Sequence, residues 1–401
     1  MRHAPHAQGF TLLEVLIAAA VSLIIIGVAL TASLEIQRRA RLEERVSETQ
    51  NSGRAARDFI AFNIQRAGAG MGPALLVAGN GAGPGGLDLR YAVLSTREAT
   101  FADADFALPT GRYAGLRSDA LEVWETDPGQ MLPLKGCNDG NAKRWLGNQL
   151  CTLNPPLPTL VNRVVAIVSP EQTTGRALAC LGVVTSVDPI RNPPGDPDYS
   201  VTWSPGLPGK PTPSSHPCGA APLNANPLWD ARDVYLMPVT ARAWRISWVG
   251  GEPALQYDAD GPAGAAGYVT LSREIEQLQV RMGVQPPDAD AGLMFFPDPA
   301  SSPAHPSLDQ CTQATCGPLV TWAWDGGASG VNQGEGSARD ELMRHVQVVE
   351  LGITARSQRV DTARALPADS GTDEDGNLQD GYKRRHTVVR LAPRNFGYAG
   401  D

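Results

Sequence analysis

The chain has 401 residues, enough for one large domain or two of ordinary size. Apolar residues make up 42% and charged residues 19%, which supplies a core and excludes a disordered acidic chain. The net charge of −8 excludes nucleic acid as the main partner, because phosphate binding needs a basic face. With 42 glycines, 33 prolines and only 6% aromatics, the composition favours strands joined by long turn-rich loops over a helical bundle.

The first eight residues, MRHAPHAQ, are hydrophilic, and Gly9 separates them from an apolar run spanning Phe10 to Leu30. As a helix that run rises about 31 Å, enough for one bilayer core. Glu14 is its only charged residue. A cleaved secretory signal expects a shorter apolar core followed at once by a small-residue cleavage site. Here the run passes instead into TASLEIQRRARLEERVSETQNSGRAARDFIAFNIQRAGAG, with no proline between Pro5 and Pro73. Leu42, Val46, Thr49, Gly53, Ala56, Ile60, Ile64 and Ala67 recur at helical spacing and form one mostly apolar stripe. The pattern predicts a single long helix: residues 10–30 cross the membrane, 31–67 are amphipathic, and Gly68 and Gly70 end it. A plain membrane anchor would leave Glu14 unexplained, since a membrane-buried charge costs roughly 2.5–3.5 kcal/mol.

Residues 68–115 read as a glycine-rich linker and loop. Gly81, Gly83 and Gly86 satisfy GxGxxG, but Pro84 interrupts the motif and LDLRYAVL looks extended, so the stretch reads as a loop and not a dinucleotide site. Strands are expected at 120–126, 163–169, 177–187, 233–249, 276–284, 345–357 and 386–393, many alternating apolar with polar residues as a half-buried sheet does. Residues 116–401 then form a β-rich globular domain with insertions near 127–230 and 285–340; the long loops at 188–230 and 285–340 are of a length that is usually functional or mobile. The fold class is α+β: the long N-terminal helix packs its second half on an antiparallel β-sheet.

All six cysteines, at 137, 151, 180, 218, 311 and 316, follow the apolar run, and none forms a CxxC pair. An even number beyond a membrane segment fits disulfides made outside the cytoplasm. Sequence neighbourhood suggests Cys311 with Cys316, Cys137 with Cys151 and Cys180 with Cys218, while every other connectivity stays open. A zinc site would want CxxC pairs or nearby histidines. SGTDEDGNLQDG offers Asp373, Asp375, Asn377 and Asp380 as calcium candidates, and YDADG offers Asp258 and Asp260. The first is not an EF-hand: with Gly376 central, Gly371 stands where the first Asp belongs and Tyr382 where the Glu belongs. No G-x-S-x-G, Walker A or HExxH motif is present, and the histidines are dispersed, so no catalytic residue and no cofactor are expected.

The leader with Gly9 and FTLLEVLIAAAV resembles the class III signal of type IV prepilins. That resemblance implies cleavage after Gly9 by prepilin peptidase, methylation of the new amine on Phe10, and retention of the apolar segment. It gives Glu14 the role of assembly charge, facing the N-terminal amine of a neighbouring subunit in the pilus. FNIQRAGAG, ARAWRISWVGGEPALQYDADG, LSREIEQLQVRMGV, VVELGITARS and RRHTVVRLAPRN resemble, in order, the helix end and sheet segments of PilW-type minor pilins. Residues 127–230 and 285–340 have no counterpart there.

The resemblance implies a minor type IV pilin of a Gram-negative bacterium, single-pass in the inner membrane, with its N-terminus cytoplasmic and its domain periplasmic. It would prime pilus assembly with other minor pilins and the major pilin on the inner-membrane assembly platform. It would then sit at or near the tip at the cell surface, serving adhesion, twitching motility or DNA uptake. A bare count of Arg2 against Arg38, Arg39, Arg41 and Arg45 points to the opposite orientation. Two alternatives share parts of the pattern: a pseudopilin of a type II secretion system, and a membrane-anchored periplasmic binding protein or enzyme with an uncleaved anchor.

Overall fold

A computed structural model describes residues 11–71, 75–81, 86–135, 145–146, 148–152, 154–170, 177–189, 199–214, 216, 218–219, 234–264, 267–287, 292–320, 335–357, 378 and 380–393. Two units emerge, one comprising Met1–Asn51 with Ser357–Lys383 and the other Ser52–Arg356 with Arg384–Asp401. Helix α1, Leu12–Arg66, runs from the first unit into the second. In the first unit its apolar stretch is solvent-facing, and Ser357 donates and accepts across to Lys383 through backbone and hydroxyl.

The second unit is strand-rich. Strands β1 (Leu75–Asn80), β2 (Leu87–Arg90), β3 (Val93–Thr96) and β4 (Ala120–Thr126) follow the helix. Next come β5 (Leu132–Lys135), β6 (Trp145–Leu146), β7 (Gln149–Thr152), β8 (Val164–Pro170), β9 (Ala177–Pro189), β10 (Tyr199–Leu207) and β11 (Lys210–Pro211). The chain continues through β12 (Tyr235–Ser247), β13 (Ala254–Asp258), β14 (Val269–Ser272), β15 (Ile275–Val284) and β16 (Met294–Phe296). Short helix α2 (Gln313–Cys316) and α3 (Glu335–Arg344) precede β17 (Val346–Arg356) and β18 (Arg384–Leu391).

The expected single antiparallel sheet is corrected on two counts. Among the described residues, β1 to β14 join in one branched 14-stranded sheet, and a separate four-stranded sheet runs β16-β15-β17-β18. One pairing, β1 with β9, is parallel. The long strand β12 explains the branching, because it changes partners midway. Tyr235–Pro238 pair with β8, whereas Val239–Trp244 pair with β4 and Ala243–Ser247 with β13. Its two ends enter different apolar clusters, Leu236 and Met237 two of them and Trp244 and Ile246 a third.

The last turns of α1 bury Ala56, Ile60 and Ile64, with Ala67 just past the helix, in a core shared with Val123, Trp244, Leu278, Leu351 and Ile353. That is the helix-on-sheet packing expected from the stripe, and Gly53 permits a close approach, leaving 3.3 Å between an added Cβ and the Ala355 methyl. Gly68 and Gly70, at φ 73°, turn the chain out of the helix in the left-handed region that other residues avoid.

Residues 68–115, expected as a linker, instead carry β1, β2 and β3. Val77 of β1 enters one apolar cluster and Leu76 and Ala78 another, so the strand is covered on both faces. Such a strand shows no alternation and is masked by its glycine-rich surroundings. The GxGxxG stretch is the β1–β2 connection: Gly81 N–H donates to Gly86 O over 2.9 Å, and a Cβ on Gly81 would stand 2.8 Å from Asp88 backbone nitrogen. Gly83 lies outside the described residues. Within the 127–230 insertion, β8 and β9 fall where strands were expected at 163–169 and 177–187, whereas β5, β6, β7, β10 and β11 are further strands of the large sheet, two of them within the stretch read as the loop 188–230. In that lobe Val165 and Ile167 of β8 face one core and Val164, Ala166 and Val168 the other.

Candidate functional site

Thr11 and Glu14 stand at the start of α1 and satisfy each other. Glu14 N–H donates to Thr11 Oγ1 at 3.3 Å, and the Thr11 N–H and hydroxyl both donate to Glu14 Oε2 at 3.0 Å. This is a capping box: the N-cap hydroxyl serves the N3 amide while the N3 carboxylate reaches back to the N-cap amide. The carboxylate also lies at the positive end of the helix dipole. Sequence reasoning gave Glu14 only an intermolecular partner and missed this local one, although T-L-L-E before an apolar run is the signature. Among the described residues Glu14 Oε1 takes no hydrogen bond, so one oxygen remains for a further partner.

Behind the box the helix offers solvent an unbroken apolar surface. Leu12, Leu16, Leu23, Ile24, Val28 and Leu30 are 59–82% exposed, far more apolar surface than a water-soluble protein leaves uncovered. The helix is long and apolar enough to cross a membrane. Gly9 and Phe10, the expected cleavage and methylation positions, lie outside the described residues.

The cysteines form a second set. Cys180 pairs with Cys218 and Cys311 with Cys316, with Cα separations of 5.3 and 5.6 Å. Cys151 is disulfide-bonded too, and its candidate partner Cys137 lies outside the described residues. Cys180–Cys218 is embedded in the core of the large sheet beside Leu150 and Val201, and Cys311–Cys316 lies in the core under α1 beside Leu308 and Leu319. Local α2 is held by its own capping box, Thr312 with Thr315.

Of the calcium candidates, Asp373, Asp375 and Asn377 lie outside the described residues, and Asp380 is buried and accepts from Tyr382 N–H at 3.2 Å. Asp258 accepts from the amides of Asp260 and Gly261 at 3.3 and 3.0 Å, closing the turn after β13. Burial, with the side-chain hydrogen bond to Asp260, pushes its carboxyl up to about 6. Among the described residues no group of three or more His, Cys, Asp or Glu is placed to hold a metal.

Residues 5–30 match the prokaryotic N-terminal methylation motif. Comparison with curated proteins and with solved structures gave no match. The motif marks the chain as type IV pilin-like or pseudopilin-like, and with the single N-terminal apolar helix it fits a membrane-anchored single-pass protein.

Proposed function

We propose that the chain is a minor type IV pilin of the PilW type, a structural subunit and not an enzyme. In this reading it waits in the inner membrane with its domain in the periplasm and joins other minor pilins, and then the major pilin, on the assembly platform. The observation that carries the proposal is the methylation motif continued by an apolar helix whose carboxylate keeps one oxygen open. Prepilin peptidase would free an amine at Phe10. In a growing filament the amine of one subunit would meet Glu14 of the next, and charge pairing in low dielectric is strong enough to fix axial register. The large disulfide-bonded domain suits a subunit placed once, at or near the tip, where bulk is not repeated along the shaft.

The capping box makes the test sharper than simple removal of the charge. Glu14→Gln keeps a carbonyl to accept from Thr11 but deletes the charge, whereas Glu14→Ala deletes both the charge and the reciprocal bond from the Thr11 amide. Both variants are expected at wild-type abundance in the membrane and depleted from sheared pili, measured by immunoblot of the two fractions. Glu14→Gln entering pili at the wild-type level overturns the charge-pairing role. Wild-type protein absent from pili, with protein secretion failing when the gene is deleted, would move the chain to the pseudopilins.

A further inference from the structure

β3 and β4 are adjacent antiparallel strands, with Thr96 opposite Ala120, yet the chain takes residues 97–119 to pass between them. A tight turn would suffice, and connections of this length are usually functional. The base of the excursion is closed: Ala99 N–H donates to Ser118 O at 3.2 Å, and Glu98 N–H donates to Asp119 Oδ1 at 3.1 Å. Beyond the base, residues 99–107 cross β12 and β13 as a strap, exposed at Thr100 and from Ala102 to Asp105.

The surface beneath the strap is polar. Arg245 and Ser247 alternate along β12 with Trp244 and Ile246, which enter the core, and Gln256 stands opposite Arg245 on β13. All three polar side chains are buried, and the strap supplies a partner to each. The Ser247 hydroxyl donates to Asp105 O and accepts from Ala107 N–H, both at 3.0 Å, and Gln256 Nε2 donates to the same carbonyl at 3.2 Å. Arg245 pairs with the exposed Asp103 carboxylate and lies over the rings of Phe101, Phe106 and Tyr268. A permanent cover would be held at least as well by an apolar face, because a buried guanidinium is costly to desolvate. What the polar face adds is tolerance of uncovering: Arg245, Ser247 and Gln256 rehydrate when the strap leaves, whereas bare apolar surface would not. The strap is held by two half-buried rings and a few hydrogen bonds, the features of a segment that opens well below the cost of global unfolding.

We infer that residues 99–107 are a releasable strap that lifts from β12 and β13 as one unit while its base stays closed. Asp103, set between Phe101 and Phe106, acts as an internal ligand of Arg245. Lifting opens that guanidinium to an acidic segment flanked by aromatic residues from outside the chain. The strap and its seat lie within the second unit, so the inference stands whether or not the chain is a pilin.

Residue-resolved hydrogen exchange on the full chain in detergent tests the lifting. The amide of Ala107 and that of Trp248, which donates to Ala107 O at 2.8 Å, should exchange together, at least a hundredfold faster than the β4–β12 ladder, while Ala99 stays protected. Exchange of all of them with the ladder, or opening of Ala99 with Ala107, overturns the strap. The open site is tested with a fluorescein-labelled peptide of residues 100–108, Thr-Phe-Ala-Asp-Ala-Asp-Phe-Ala-Leu, read by anisotropy. Phe101→Ala with Phe106→Ala loosens the strap, and that protein should bind the peptide at least tenfold more tightly than wild type, whose own strap competes. A peptide with asparagine in place of its first aspartate should bind the loosened protein at least tenfold more weakly. Equal binding of the two peptides, or no binding by the loosened protein, overturns the carboxylate site. Sedimentation of the loosened protein separates two sources of such a segment: a dimer that the peptide dissolves assigns it to a second copy, and a monomer assigns it to another protein.

Discussion

Asp258 shows how one side chain sets a pH dependence that its position in the sequence does not reveal. Its ordinary value of 3.8 rises to about 6 because the folded chain buries it and hydrogen-bonds it to Asp260. The folded protein therefore holds a proton that the unfolded chain has released. Stability from this group is fully present below the unfolded value and is lost as pH climbs through the folded one, between about 4 and 6.5. Asp258→Asn keeps an acceptor for the amides of Asp260 and Gly261 and has no proton to lose. Urea midpoints of the two proteins should agree near pH 4 and separate toward pH 7.5, with the variant the more stable by less than about 3 kcal/mol. A constant gap across that range would show that Asp258 does not titrate in this window. Sequence alone offered YDADG as an acidic pair and a calcium candidate; what decides its chemistry is the turn after β13, which sequence order does not disclose. Glu14 is the opposite case, since both its motif and its capping partner Thr11 are written within a few residues.

At the scale of elements, the C-terminal turns of α1 do the joining. Ile64 is fully buried among residues of two sheets, whereas Phe62, two positions earlier, is 57% exposed and lies on the face away from them. Ile64→Ala leaves a cavity bordered by both helix and strands and should destabilise the folded unit by about 2–5 kcal/mol. Phe62→Ala should change it by no more than about 0.5 kcal/mol. Denaturant unfolding of the full chain in detergent measures both, and equal effects would contradict the assigned face. The helix and the long strands were legible because each is amphipathic or unbroken over many residues: β4 falls at 120–126 as read, and β15 and β17 within a residue of their reading at each end. β1, β7 and β10 were not. β7 has only four residues, β10 carries Pro205 and Gly206, and β1 is apolar on both faces. A further close contact was equally hidden: Gly182 of β9 leaves room for the Trp203 ring of β10, whose Cε3 would stand 2.1 Å from any added Cβ.

For the whole molecule, the open issue is which side of the membrane the domain occupies, and two chemical marks on one chain decide it. The arginine count after the apolar run argues for the cytoplasm, while the methylation motif and the disulfides argue against it. Which residues share a strap, a core or a bridge depends on pairings far apart in sequence, so the strap over Arg245 and the parallel β1–β9 pair could not be read in advance. The leader could, because its signal is local. In the proposed reading, leader cleavage needs Gly9 to face the peptidase on the cytoplasmic side, and lasting disulfides need the cysteines to lie on the oxidising side. Protein isolated from its own envelope, with thiols blocked at lysis, should therefore begin at Phe10 with a methylated amine by intact mass. Non-reducing peptide mapping of the same sample should recover Cys180–Cys218 and Cys311–Cys316. A chain that retains Met1 in cells with active peptidase would make the helix an uncleaved anchor. A mature N-terminus with free thiols at all four positions would break the link between leader and orientation, and the arginine count would then be the better guide.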